Sequence, residues 1–257
     1  MADIYGAAID WDDVSGIMID MDGTVFKENK VIPGAPEFIG RLKARNIPFV
    51  FLTNNSSSSR AFYFDKLTRM GFDITMDNIL TSVTATIGYL LKHHKGESVY
   101  PMGTPQFIEE IKEAGIRIDE KDPDTVLLSF DTTMVYERIN NAYQFLKRGA
   151  RFIATHPDRL CPTENGYMPD IGPFIDMLED LTGVKATVIG KPNRIMIEMA
   201  ADKMNVPREK MIMIGDRLYT DIKMASENGI RSIQVLTGER PEVHPDWVFN
   251  SVDDILR

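Results

Sequence analysis

With a single cysteine, Cys161, in 257 residues, the chain can form neither an internal disulfide nor a cysteine zinc cage. Positive charge is scarce as well. Against 38 acidic residues stand 29 lysines and arginines, and the resulting charge of -9 opposes nucleic-acid binding because the whole-molecule field repels a phosphate backbone. A small anion can still bind where one pocket is locally positive or holds a metal. Long apolar runs are missing: Val126-Leu127-Leu128 and Met211-Ile212-Met213-Ile214 fall far short of a bilayer, so no membrane span is expected. The opening Met1-Ala2-Asp3-Ile4-Tyr5 has no basic segment before an apolar one, which predicts no secretory signal and a cytoplasmic location. The glycosylation sequons at Asn54 and Asn55 are then without consequence. Heptads, solenoid periods and low-complexity tracts are also absent.

What remains is an ordinary globular composition, 43% hydrophobic and 26% charged, in which short β-like runs alternate with helical patterns. Gly16-Ile17-Met18-Ile19 reads as a buried strand. After Pro33-Gly34 comes a helix whose Phe38, Ile39 and Leu42 share one face. Pro48 to Leu52 reads as the next strand, and the serines Ser56 to Ser59 open the helix that follows. Further strands are expected at Ile79-Leu80, Val99-Tyr100, Val126 to Phe130, Phe152 to Ala154, Val188-Ile189, Met211 to Ile214 and Ile233 to Leu236. Such alternation predicts an α/β fold with parallel sheets covered by helices on both faces. The stretch from His156 to Pro173, with four prolines, breaks the rhythm and is expected to be a long ordered loop.

Two carboxylate pairs occur ten positions apart, Asp10/Asp12 and Asp20/Asp22. Behind Asp20-Met21-Asp22 come Gly23, which permits a sharp turn, and Thr24, so these acids sit where a buried strand ends and open α/β sheets bind ligands. Behind Asp10-Trp11-Asp12 come Asp13-Val14-Ser15, without a turn glycine, and in front stands the feeble strand Tyr5-Gly6-Ala7-Ala8. That pair reads as a solvated lead-in. Neither pair is a calcium loop, since the glycine and glutamate that an EF-hand requires are absent from both frames.

Asp20/Asp22 has companions downstream. Thr53-Asn54-Asn55 closes the next strand, Lys191 follows the apolar run at Ile189, and Gly215-Asp216-Arg217-Leu218-Tyr219-Thr220-Asp221 follows another. Taken singly, each has an ordinary explanation, a helix cap for Thr53, Asp216 and Asp221 or a snorkelling surface lysine for Lys191. Four polar motifs behind four apolar strands are harder to reach by capping alone. His156 and His244 are read as having no partner at ligand spacing, and Met196, Met199 and Met204 as core packing.

In this order the motifs resemble those of the haloacid dehalogenase superfamily: Asp20-Met21-Asp22-Gly23-Thr24-Val25 the first, Thr53 the second, Lys191 the third, Gly215-Asp216 through Asp221 the fourth. Phe51 to Ser56, Ile189-Gly190-Lys191-Pro192 and Gly215 to Asp221 are similar to its NagD-type phosphatase branch. The resemblance implies a doubly wound, Rossmann-like parallel-sheet core (residues 1–82 and 185–257) with an inserted α/β cap domain (83–184). Phe130-Asp131 and Thr155-His156-Pro157-Asp158 look like cap segments, whereas Gly172-Pro173-Phe174 departs from the small-residue version of that motif. By the same resemblance Asp20 is the nucleophile, forming an aspartyl phosphate, and Asp22 the acid and then the base. Asp20, Asp22 through its carbonyl, and Asp216 would hold Mg2+, with Asp221 behind them. Thr53, Asn54, Asn55, Lys191, Arg217 and Thr220 would bind phosphate or substrate. The expected activity is hydrolysis of small phosphate monoesters, with a homo-oligomer possible and no nucleic-acid or membrane partner. A phosphomutase, a phospho-aspartate receiver and a non-turnover binder are the alternatives. The acid at position 22 argues against a dehalogenase, and the absence of lysine from His156 to Pro173 against a phosphonatase.

Overall fold

The computed structural model describes residues 8–163, 166–238 and 246–256, in two compact units. Tyr5 to Ala7 and His244 lie outside the described residues. The first unit comprises residues 1–53, 60–80 and 191–257, and the second residues 54–59 and 81–190.

The first unit is organised by a six-stranded sheet in the order Trp247–Phe249, Arg231–Val235, Met211–Gly215, Gly16–Asp20, Phe49–Thr53, Ile79–Thr81. The first five strands pair in parallel, with Ile19 opposite both Ile214 and Phe51. A parallel sheet buried on both faces needs continuous apolar strands, and every residue of Gly16–Asp20 and Met211–Gly215 is buried. Side chains alternate between faces. Ile17, Ile19, Phe51, Ile212 and Ile214 share one cluster with Phe38, Ile39 and Leu42 of the helix Ala35–Ala44. The helix Arg194–Met204 also packs on Gly16–Asp20 and Phe49–Thr53, and it buries Met196, Ile197, Met199 and Ala200. The sheet is thus doubly wound, as expected. One element was unforeseen, a short hairpin of Phe26–Lys27 with Lys30–Val31 directly behind the aspartate turn.

The second unit holds a five-stranded parallel sheet in the order Thr187–Val188, Arg151–Ala154, Thr125–Leu128, Ser98–Met102, Arg117–Ile118. Its core gathers Tyr100, Met102, Val126, Leu128, Phe145, Phe152 and Leu178. The proline-rich stretch is not a loop throughout: Leu160–Thr163 and Gly166–Pro169 form an antiparallel hairpin. Proline is compatible with a two-stranded ribbon, where each strand has an outer edge that needs no donor. Among the described residues no helix is long and apolar enough to cross a membrane.

Candidate active site

Parallel pairing places the C-terminal ends of three central strands side by side. Asp20 ends Gly16–Asp20, Thr53 ends Phe49–Thr53, and Asp216 follows Met211–Gly215. The chain leaves the first strand through Gly23 at φ +94°, a left-handed conformation that a side chain disfavours. A Cβ on Gly23 would also collide with the Asp216 carboxylate, as would one on Gly238. The two glycines cradle that acid. Thr24 Oγ1 donates to Asp216 Oδ1 (3.3 Å), and Gln234 Nε2 donates to the Asp216 carbonyl (3.1 Å). Thr237 Oγ1 donates to the Gly23 carbonyl (2.5 Å), tying the turn to the segment that follows Arg231–Val235, two strands away in the sheet.

Behind Asp216 the chain makes one wide π turn, Leu218–Ile222, rather than a regular α-helical turn, and it buries Thr220, Asp221 and Ile222. Single π turns of this kind recur at functional sites. Asp221 is thereby aimed inward, where its Oδ1 accepts a hydrogen bond from Lys191 Nζ (2.7 Å). The same ammonium bonds Asp20 Oδ1. Burial opposes the charge on Lys191, yet the Asp20 and Asp221 carboxylates outweigh it and push the pKa up. Lys191, with only 4% of its side chain exposed, is a fixed cation at any physiological pH.

One lysine does not neutralise three acids. Ligand oxygens of Asp20, Asp216 and Asp221 lie within 4.8 Å of one another, all buried. Burial, then Asp20 and Asp221, push the Asp216 carboxyl up to about 8. Burial and Asp20 likewise raise Asp221, to about 6. A crowded set of buried hard oxygens is the donor chemistry that a small divalent cation prefers. Thr220 Oγ1 is buried without a hydrogen-bond partner in the same turn, a polar atom left for a ligand or water.

Asp22 differs from Asp20. Its side chain is 49% exposed, its Oδ1 accepts the Glu28 N–H (3.2 Å), and its Oδ2 lies 3.8 Å from Arg217. Asp10 only caps its own 3₁₀ turn, accepting Asp12 N–H (3.2 Å) at the surface. The structure thus gathers Asp20, Lys191, Asp216 and Asp221, with Asp22, Arg217 and Thr220 in the adjoining turns. Asn54 and Asn55 belong to the second unit. Asn54 Nδ2 donates to Asp158 Oδ1 (3.0 Å), and Asn55 Oδ1 accepts from Ser57 N (2.8 Å) and Ser57 Oγ (2.6 Å), closing a local turn.

His156, expected to have no partner at ligand spacing, does have such partners in Asp158 and Asp170. Its fully buried ring lies 3.0 Å from Ser56 Oγ, 3.7 Å from Asp170 Oδ1 and 3.8 Å from Asp158 Oδ2. The hairpin between them folds Asp170 back onto His156, a long-range pairing that spacing along the chain does not announce.

Residues 17–117 match the family model described as haloacid dehalogenase-like hydrolase, and residues 188–255 match a second model of the same kind. The sugar-phosphatase AraL of Bacillus subtilis is 34% identical, over 95% of this chain and 92% of its own. This chain belongs to the haloacid dehalogenase-like hydrolases. Within that family it is of the NagD type and a phosphatase. A 4-nitrophenylphosphatase structure from Thermotoga maritima is similar to it with a TM-score of 0.88 and 41% identity, covering 94% of this chain and 96% of that one. NagD from E. coli K-12 is similar with a TM-score of 0.85 and 30% identity, over 94% and 98%.

Proposed function

We propose that this haloacid dehalogenase-like hydrolase cleaves small phosphate monoesters through a phosphorylated Asp20, and that its substrates are sugar phosphates, nucleoside monophosphates or compounds of the para-nitrophenyl phosphate type. The observation that carries the reading is the buried Asp20 carboxylate bonded to Lys191, with a second, exposed carboxylate two residues on. Phosphate monoesters resist attack because nucleophile, phosphoryl group and leaving oxygen are all electron-rich, so catalysis must come from positioning and fixed positive charge.

Asp20 would attack phosphorus while the bond to the leaving oxygen breaks, giving an acyl phosphate and an alkoxide. Asp22 would deliver its proton to that oxygen. It would then take a proton from water as the water attacks the phospho-aspartate, releasing inorganic phosphate and restoring Asp20. Exposure suits this alternation, because the Asp22 carboxylate left by the first step is the base for the second and is open to the incoming water. Thr53 and the backbone amide of Asn54 would hydrogen-bond the phosphoryl oxygens, Asn55, Arg217 and Thr220 would add polar contacts, and Lys191 would hold opposite charge beside them. Asp221, bonded to Lys191, keeps that ammonium in place.

Asp20, Asp216 and the Asp22 carbonyl suit Mg2+ as oxygen donors, in keeping with the cradled, crowded carboxylates described above. When bound, the ion offsets negative charge on the transferring phosphoryl group. The test is phosphate release from a panel of nucleotides, sugar phosphates and para-nitrophenyl phosphate, with magnesium and with a chelator, for wild type and Asp20→Asn. Magnesium-dependent release that vanishes in the variant is the expected result. Release that survives in Asp20→Asn would overturn the mechanism, and transfer of phosphate between substrate hydroxyls without release would indicate a mutase.

A further inference from the structure

Asn54 follows Thr53 directly, yet Thr53 groups with the six-stranded sheet and Asn54–Ser59 with the five-stranded one. Side chains of the second unit account for this. Ser82 Oγ donates to the Asn54 carbonyl (2.7 Å), and Asn54 Nδ2 donates to Asp158 (3.0 Å). Ser56 Oγ accepts the Phe130 N–H (3.1 Å) and meets His156 Nε2 at 3.0 Å. Asn54, Ser56, Ser82 and His156 are all buried. Buried polar groups joined in this way permit one arrangement rather than several.

The ring's orientation follows from its neighbours. Asp158 N–H donates to His156 Nδ1 (3.4 Å), which leaves the proton on Nε2, and Nε2–H points at Ser56 Oγ with the Asp170 carboxylate 3.7 Å away. Asp170 is itself held by the Ile171 N–H (2.7 Å). Both ring nitrogens are thus engaged with protein, so His156 serves as a clasp on Ser56 rather than as a metal ligand.

We infer that His156 is a positioning residue for phosphate binding: through Ser56 it fixes the peptide from Asn54 to Ser56. On the proposed reading, on which this inference rests, the first amide of that peptide grips the phosphoryl oxygens. On that reading, a buried histidine remote in sequence sets the geometry of the backbone behind Thr53.

The test uses the magnesium-loaded enzyme and inorganic phosphate as a competitive inhibitor of para-nitrophenyl phosphate hydrolysis. In Ser56→Ala and in His156→Ala, phosphate inhibition should weaken about tenfold, the weight of one hydrogen bond to a charged group. Because the two act as one unit, the double variant should be no worse than the weaker single one. His156→Asn, which keeps a donor and an acceptor, should restore most of the loss. Ser56→Ala removes only one oxygen and carries the test alone if His156→Ala does not fold. Unchanged phosphate inhibition in Ser56→Ala, or losses that add in the double variant, would overturn the inference. Turnover by Asp20→Asn tests the phosphatase mechanism separately, so the two ideas fail independently.

Discussion

Replacing Asp216 by asparagine should stabilise the metal-free protein while abolishing its activity. Asp216 is 3% exposed, and its oxygens lie within 4.8 Å of those of Asp20 and Asp221. At that separation and an effective dielectric of roughly 20, each like-charged neighbour costs about 3 kcal/mol. Lys191 and Arg217 offset part of this, and a net relief of about 2 kcal/mol on removing the charge is a reasonable order. The sign with pH follows from the raised pKa. An acid lifted from 3.8 to about 8 in the fold contributes most below pH 3.8, and that stability is lost as pH rises through about 8. In a chelator, wild type should melt lower at pH 9 than at pH 6. Asp216→Asn should flatten that dependence and melt higher than wild type at pH 9, by about 4–8 °C for a chain of this size. Magnesium should then raise the melting temperature of wild type by mass action and leave the variant unmoved. Differential scanning calorimetry at the two pH values, with and without magnesium, reads all four conditions. A variant that melts below wild type at pH 9 in chelator would refute the electrostatic account of this cluster.

Three further outcomes are expected. Asp20→Asn should remove turnover with the fold intact by circular dichroism while Asp10→Asn changes nothing measurable, and equal loss in both would reverse the choice between the aspartate pairs. Lys191→Met leaves the fully buried Asp221 without its cation, so urea unfolding should show a loss of about 3–5 kcal/mol; unchanged stability would mean that the acids are neutral in the fold. Gly238→Ala drives a methyl group into the Asp216 carboxylate, and a magnesium titration of activity should show at least roughly tenfold weaker activation, whereas an unaltered titration would show that the cradle yields.

Much of this was legible locally. A strand followed by Asp20-Met21-Asp22-Gly23-Thr24, and others followed by Thr53, Lys191 and Asp216, mark their own ends, because apolar periodicity and turn chemistry are read over a few residues. The helix Ala35–Ala44 and the burial of Phe38, Ile39 and Leu42 followed from the same local pattern. Even the hairpin of Leu160–Thr163 with Gly166–Pro169 reads as loop for a local reason, since proline there signals irregularity before it signals an edge.

What the tertiary structure decided is which distant pieces meet. Strand order puts Gly16–Asp20 between Met211–Gly215 and Phe49–Thr53, and only this brings Asp216 and Asp221 to Asp20, with Lys191 bridging Asp20 and Asp221. It also decided that Asn54 leaves the sheet unit that Thr53 closes, and that Asp170 returns to His156. Propensity and periodicity act over a turn or a strand, whereas these meetings are set by how two cores bury their faces.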